Sequence, residues 1–104
     1  MAGPKITKLI EVLDELALVL RDLDHGHWSE WMAESAQRLR HDDFSGVTHL
    51  LRAYGGMGSF NDALPELAGG PADDQVDRAR SLRSEAWELA EAVRREVDRG
   101  RLSN

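Results

Sequence analysis

The chain has 104 residues, enough to bury one hydrophobic core, so we expect a single helical domain over residues 1–104. It contains no cysteine, which excludes disulfides, thiolate metal sites and cysteine catalysis. The formal net charge of −6 argues against a nonspecific nucleic-acid binder, and it would suit either a basic partner protein or solubility alone.

The first predicted helix begins near Pro4, which suits the first helical position, and ends at Asp24-His25-Gly26 with Gly26 as its C-cap. Its acidic, amphipathic sequence is that of neither a signal peptide nor a membrane span, so we expect a cytoplasmic protein without membrane contact. One apolar face recurs at helical spacing and predicts the main core helix: Ile6, Leu9, Ile10, Leu13, Leu16, Ala17, Leu20 and Leu23.

Leu18 stands apart from that face, among acidic residues on the opposite side of the same helix. A helix that carries apolar residues on opposite faces is either packed centrally or in contact with a second chain. Leu18 is therefore a candidate interface residue, and a homodimer is one of the arrangements that stay open.

The second predicted helix runs from about His27 to His41. Trp28 and Trp31, three residues apart on its apolar face, could form a stacking platform for a base or another ring. Large aromatic side chains beside Met32 on such a face are more often part of the core, and we favour that interpretation.

The pair Asp42-Asp43 is expected to break the second helix and to cap the third, which runs from about Phe44 to Tyr54. Helical spacing predicts one apolar face: Phe44, Val47, Leu50, Leu51 and Tyr54. The same spacing leaves three polar residues toward solvent: Ser45, His49 and Arg52.

A glycine-rich segment follows, in which Gly55 suits a left-handed cap for the third helix, and Ser59 or Asn61 can cap a following turn. Alternatively, its backbone N–H groups form a nest for a phosphate or carboxylate, as part of a small-molecule or nucleotide site. The GxxxxGK[ST], GxGxxG and Gly-x-Ser-x-Gly patterns are all absent, which favours the structural interpretation. The candidate binding residues are Gly55, Gly56, Met57, Gly58, Ser59, Asn61 and Asp62.

The last predicted helix runs from Ala72 to about Arg99, after a turn at Pro65 and an internal loop at Gly69-Gly70-Pro71, and Gly100 is its expected stop. Near-heptad spacing predicts packing along the first helix: Val76, Ala79, Leu82, Ala86, Leu89, Ala90, Val93 and Val97. Trp87 lies about 100° from the centre of that stripe. It either covers the seam between the helices, which we favour, or marks a partner surface.

Candidate metal ligands are four histidines before or near the glycine-rich segment: His25, His27, His41 and His49. HExxH spacing is absent, and helix ends and solvent exposure explain these residues. The acidic pairs Asp42-Asp43 and Asp73-Asp74 stand where helices begin, which is typical of capping. A nucleophile, a base and an orienting group in one recognisable set are also missing. We therefore expect no metal, no cofactor and no enzymatic activity.

The stretch from Tyr54 to Asp62, Tyr-Gly-Gly-Met-Gly-Ser-Phe-Asn-Asp, resembles the signature of a family of small, uncharacterised bacterial proteins, in which a Leu-Leu-x-x-Tyr run precedes it. Leu39-Arg40, Asp43-Phe44-Ser45-Gly46 and His27-Trp28 are also similar to that family. After Asp62 the sequence departs from the aliphatic residues expected of the family. The resemblance implies a bacterial protein, and it supplies no activity, because we know of no established catalytic role for the family.

These patterns predict an all-α bundle of about four helices, with the long first and last helices antiparallel and the glycine-rich segment after the third. The acidic charge and the missing catalytic set favour a non-enzymatic protein–protein interaction module, for example an inhibitor, an antitoxin or an immunity-type protein. One alternative is an anion-binding module in which Arg52 or Arg40 supplies charge to the glycine-rich segment. The other is a homodimeric structural protein.

Overall fold

A computed structural model describes residues 3–54 and 73–102 of the chain, and in the last helix it describes the side chains of residues 74–97. These residues form four helices and no strand, which confirms the all-α prediction. The helices are α1 (Pro4–Asp22), α2 (Gly26–Arg40), α3 (Ser45–Leu51), which continues into a 3-10 turn (Arg52–Tyr54), and α4 (Asp73–Leu102). No helix within the described ranges is both long and apolar enough to cross a membrane.

The helices contact one another in a ring: α1 packs against α2 and α4, and α3 packs against the same two helices. Ion pairs from Lys5 to Glu96 and from Arg78 to Glu15 join opposite ends of α1 and α4, so these two helices are antiparallel, as predicted. The buried residues of the two helices lie in the predicted stripes or on their flank: Leu9, Val12, Leu13, Leu16 and Leu20 from α1, and Val76, Ala79, Leu82, Ala86, Ala90 and Val93 from α4. The other members of the stripes within the two helices are partly buried: Ile6, Ile10, Ala17, Leu89 and Val97. Apolar periodicity therefore predicted this contact correctly.

The prediction that Gly26 caps α1 is wrong, because Gly26 is the first residue of α2. Asp24 takes the left-handed backbone instead, with φ 65°. The N–H of His25 donates to the carbonyl of Leu20 at 2.8 Å, and the N–H of Asp24 donates to that of Arg21 at 3.0 Å. This is the Schellman pattern, in which a residue with positive φ satisfies the last carbonyls of a helix.

The end of α2 repeats this arrangement with Asp42, whose φ is 58°. The N–H of Asp43 donates to the carbonyl of Arg38 at 2.9 Å. Asp43 stands one residue before Phe44, which occupies the cap position of α3 without a side-chain cap hydrogen bond. The Oδ1 of Asp43 nevertheless accepts the N–H of Ser45 at 2.9 Å, so its side chain satisfies a backbone donor in the first turn of α3. Within the pair Asp42-Asp43, one residue ends α2 and the other supports the start of α3.

The third helix buries Val47 and Leu50 as predicted, and it also packs closely against α2 at Gly46. A Cβ built on Gly46 would lie 2.8 Å from the carbonyl oxygen of Ser35. At about 100° per residue, His49 lies within about 60° of Gly46 around the helix, and Phe44 lies on the far side. The predicted positions of Phe44 and His49 are therefore reversed: Phe44 is 46% exposed, whereas the His49 side chain is only 14% exposed.

The fourth helix continues through Gly100 to Leu102, so the predicted stop at Gly100 is wrong. A single glycine inside a helix costs about 1 kcal/mol relative to alanine, which weakens a helix without ending it. Asp73 and Asp74 occupy the first turn of α4, as predicted.

Candidate functional site

The predicted binding residues, from Gly55 to Asp62, lie outside the described residues, as do the predicted turn at Pro65 and the loop at Gly69-Gly70-Pro71. The structure describes the chain that leads into them, which is α3 and the 3-10 turn. Two aromatic side chains hold this part of the chain against its neighbours, one against α2 and the other against α4.

Trp31 provides the contact between α2 and α3. Its indole Nε1–H donates to the carbonyl oxygen of His49 at 2.8 Å, in the last turn of α3, where carbonyls lack partners within the helix. The indole also stacks on the imidazole of His49, with ring centroids 4.2 Å apart and planes inclined by 14°. One tryptophan therefore binds both the backbone and the ring of His49.

Other rings extend this stack along α2. Trp28 lies 5.7 Å from Trp31 between ring centroids, and His27 meets Trp28 edge-on at 4.7 Å. Both tryptophans are partly buried and pack against the hydrophobic core. This packing confirms the favoured interpretation of Trp28 and Trp31 as core residues, and it leaves one face of Trp31 covered by His49.

His49 is held neutral by its surroundings. Burial lowers its pKa, the positive charges of Arg38 and Arg52 lower it further, and Glu34 opposes them. Its Nε2 lies 3.3 Å from Oε2 of Glu34, yet it forms no hydrogen bond with the described residues. The same Glu34 oxygen accepts from Arg38 at 3.2 Å, so the carboxylate is shared between a guanidinium and the imidazole.

The predicted solvent exposure of His49 is thus wrong. The sequence indicated the residues of α2 that His49 meets, but not that His49 would meet them. Trp31, Glu34 and Arg38 recur at spacings of three and four, so they share one face of α2. That face could have been predicted to carry a ring, an acid and a base. Nothing in the sequence of α3 indicates that His49 would meet it, because the way α3 lies against α2 depends on the contact at Gly46.

Tyr54 provides the contact between the 3-10 turn and α4. Its hydroxyl donates to the carbonyl oxygen of Arg83 at 2.7 Å, and burial raises the pKa of Tyr54 well above its ordinary range. The hydroxyl therefore remains protonated and able to donate at all physiological pH values. This hydrogen bond fixes Tyr54, the last described residue before the glycine-rich segment, against α4.

Trp87 lies beside this contact. It lines a depression of about 260 Å³ together with Tyr54, Arg83, Ser84 and Glu88. Its side chain is 41% exposed, so it does not lie within the buried stripe that α4 presents to α1. The surface formed by Tyr54, Arg83, Ser84, Trp87 and Glu88 is called the Trp87 surface below.

Leu18, the other candidate interface residue, lies on a different side of the bundle. It is 51% exposed and borders a depression of about 340 Å³ between α1 and α2, where Ser29 and Ala33 also lie. In the ring of helices, the side formed by α1 and α2 is opposite the side formed by α3 and α4. Leu18 and Trp87 therefore lie in separate depressions on different pairs of helices.

Three of the four histidines flank helix ends, as predicted. His25 precedes α2, His27 lies in its first turn and His41 follows it. Among residues 3–54 and 73–102, no three His, Asp or Glu side chains are arranged to hold a metal ion.

Comparison with known proteins gives one match, which covers residues 21–70. Neither the curated proteins nor the solved structures include a match. Residues 21–70, which comprise the end of α1, all of α2 and α3, and the glycine-rich segment, match the model of a domain of unknown function, DUF6966. The match covers just under half of the chain, and it confirms the resemblance to an uncharacterised family at that level.

Proposed function

We propose that this protein is a non-enzymatic protein–protein interaction module and that the Trp87 surface, together with the glycine-rich segment, contacts its partner. The observation that carries the proposal is the 41% exposure of Trp87 beside Tyr54. Tryptophan is enriched among the residues that dominate binding energy, because one side chain covers a large area with little conformational entropy to lose.

The position of this surface supports the proposal. Tyr54 is hydrogen-bonded to α4 through Arg83, so the last described residue before the glycine-rich segment lies next to Trp87. A surface segment that starts from a rigid scaffold is the usual location of binding residues. The candidate residues from Gly55 to Asp62 and the exposed indole would then form one continuous interface.

A finer identity follows as part of the same proposal. The signature from Tyr54 to Asp62 suggests a bacterial protein, and we expect it to act in the cytoplasm. The net charge of −6 favours a basic partner. An inhibitor, antitoxin or immunity-type protein that masks such a partner would need no catalytic residues of its own.

Affinity purification from the native host tests the proposal with a matched pair of variants. Trp87→Ala and Leu18→Ala each remove an exposed apolar side chain, but from opposite sides of the bundle. We expect one protein to be enriched by the wild type and by Leu18→Ala, and to be lost with Trp87→Ala and with the double variant Gly56→Val, Asn61→Ala. Circular dichroism and urea unfolding establish beforehand that each variant is folded.

The isolated partner then allows the affinity to be measured. Truncation of a central tryptophan should weaken binding at least about tenfold, which corresponds to about 1.4 kcal/mol. Equal affinity of Trp87→Ala and wild type for every enriched protein would contradict the proposed surface.

A second candidate function, a homodimeric structural protein, has Leu18 as its supporting observation. An apolar side chain that is 51% exposed in a depression between two helices could pack against the same depression of a second copy. Leu18→Glu would place a charge at such a contact and should yield a monomer. A solution mass unchanged by Leu18→Glu would exclude this candidate.

A further inference from the structure

A second depression, away from the Trp87 surface, has an unusual lining. It measures about 280 Å³ and is lined by His27, Glu30, Trp31, Glu34 and His49. The lining therefore combines aromatic rings with two carboxylates and includes no lysine or arginine. We call it the Glu30 depression.

Glu30 is available to an external ligand. It is exposed, and among residues 3–54 and 74–97 it has no hydrogen-bond or ion-pair partner. Glu34, one helical turn later, already accepts from Arg38 at 3.2 Å. The two carboxylates lie four residues apart on α2, so they repel each other, and a cation at Glu30 would relieve that repulsion.

His49 contributes its ring to the depression and no free acceptor. Its Nε2 is buried and lies 3.3 Å from Oε2 of Glu34, so an external ligand does not reach this nitrogen. An N–H donor that enters the depression would therefore find its acceptor on the carboxylate of Glu30, beside the Trp31–His49 stack.

This combination suits a guanidinium better than an ammonium. A guanidinium is planar, packs against aromatic rings, and carries several N–H donors in a fixed arrangement that matches a carboxylate. The contact between Arg38 and Glu34 shows that this part of α2 already binds one guanidinium. The ammonium of lysine is a compact charge that keeps its water and lacks the planar shape.

We propose that the Glu30 depression binds the guanidinium of an arginine side chain presented by a basic partner protein, with Glu30 as its carboxylate partner and the Trp31–His49 stack as its ring contact. The proposal deepens the proposed function and rests on it for the partner. The net charge of −6 supports a basic partner. The partner would then contact α2 as well as the Trp87 surface.

The test uses the full chain and a small probe, so it needs no partner. Nuclear magnetic resonance of the ¹⁵N-labelled protein reports the three indole N–H signals, which Trp28→Phe, Trp31→Phe and Trp87→Phe assign. N-acetyl-arginine amide should shift the Trp31 signal with a dissociation constant in the millimolar range and leave the Trp87 signal unchanged. N-acetyl-citrulline amide, which has the same shape without the charge, should give no shift, and N-acetyl-lysine amide should bind several-fold more weakly.

Two charge-matched variants separate a site from general electrostatic attraction. Glu30→Gln and Glu88→Gln each remove one exposed negative charge, beside Trp31 and beside Trp87 respectively. Glu30→Gln should weaken binding of the arginine probe about fivefold, as expected for an exposed ion pair with a ring contact, and Glu88→Gln should not. Equal weakening by both variants, equal shifts with citrulline, or no shift of Trp31 at all would overturn the proposal.

The outcome of the arginine-probe experiment and the outcome of the partner-binding experiment can be distinguished. If the arginine probe fails while Trp87→Ala still abolishes partner binding, the Glu30 depression is not a site but the Trp87 surface is. If the probe binds as expected and no partner depends on Trp87, the Trp87 surface is wrong and the arginine site stands alone.

Discussion

The contact between α1 and α4, called the seam, and the contact between α2 and α3, called the corner, are built on different principles. The seam consists of aliphatic and alanine side chains at helical spacing, with ion pairs at its edges. The corner depends on one glycine, one indole N–H and one partly buried imidazole.

The difference indicates how each contact should respond to change. In the seam, many similar side chains share the burial, so losing one costs the free energy of that side chain and its cavity. In the corner, the fit depends on the absence of a side chain at Gly46 and on single hydrogen bonds. The substitutions below therefore differ in kind as well as in size.

The largest effect should come from Leu13→Ala in the seam. Leu13 is fully buried, and shortening such a leucine costs about 3 kcal/mol of unfolding free energy, through lost burial and a remaining cavity. Urea unfolding measures the change. Leu18→Ala on the exposed side of the same helix is the control and should stay within about 0.5 kcal/mol of wild type. Equal losses for both would mean that α1 does not pack as described.

Gly46→Ala should be the next most costly change, although alanine is normally the better helix former. The added methyl would lie 2.8 Å from the carbonyl oxygen of Ser35, so α3 must move away from α2, at a cost of about 2 kcal/mol. Gly26→Ala is the matched control, because a Cβ there meets nothing within 4 Å. If Gly46→Ala is as stable as Gly26→Ala, the corner is not close-packed.

Tyr54→Phe should cost about 1 kcal/mol, the usual net contribution of one buried hydrogen bond. The phenyl ring keeps its packing, and the hydrogen bond to the carbonyl of Arg83 is lost. Partner affinity is a second measurement, since the proposed surface needs Tyr54 to hold the chain beside Trp87. Unchanged stability together with unchanged affinity would remove Tyr54 from the site.

Asp24→Gly should raise stability by about 0.5–1 kcal/mol, because Asp24 holds a left-handed backbone that glycine adopts without strain. Asp24→Ala removes the carboxylate as well but keeps the Cβ, so it should bring no gain. Thermal unfolding of the two variants separates the backbone effect from the charge. A gain in both would attribute the effect to the lost charge.

The pH dependence of stability should reveal the corner specifically. The pKa of His49 is lowered in the folded protein from its ordinary value of 6.5, so the unfolded chain takes up a proton more readily than the folded one. The contribution of His49 is therefore fully present above about pH 6.5 and falls as the pH drops toward the folded-state pKa. Asp43, whose pKa is lowered from 3.8 by its hydrogen bonds to Ser45, titrates at more acidic pH.

Urea unfolding between about pH 5 and pH 8 measures this dependence. His49→Phe keeps a ring against Trp31 but cannot titrate, so it should flatten the curve in the mildly acidic range. A curve of the same slope in both proteins would mean that His49 has the same pKa in the folded and unfolded chains.

The sequence predicted the features that rest on a repeated pattern, such as the buried faces of helices. It failed for features that depend on a single residue, such as the ends of helices. Apolar spacing predicted four helices, the buried faces of α1 and α4 and their antiparallel packing. Single residues misled the prediction of helix ends, because glycine is not the only residue that can take positive φ, and one glycine does not stop a helix. Asp24 ends α1 where Gly26 was expected to, and α4 passes through Gly100.

For the candidate interface residues Trp87 and Leu18, too, the sequence predicted one feature and missed another. Helical spacing identified both as residues outside the buried faces, but it could not place them on opposite sides of the bundle. The partial burial of His49 was missed, because it depends on how α3 lies against α2. The Glu30 depression likewise combines side chains from two helices.

By itself, then, the sequence determined which residues avoid water, since hydrophobic spacing follows helix geometry and needs no knowledge of a neighbour. Only the tertiary structure decided how α3 lies against α2, that Trp31 stacks on His49 and that Tyr54 joins the 3-10 turn to α4. These features depend on the close approach at Gly46 and on hydrogen bonds between residues far apart in the chain. Such contacts form only when separate helices meet.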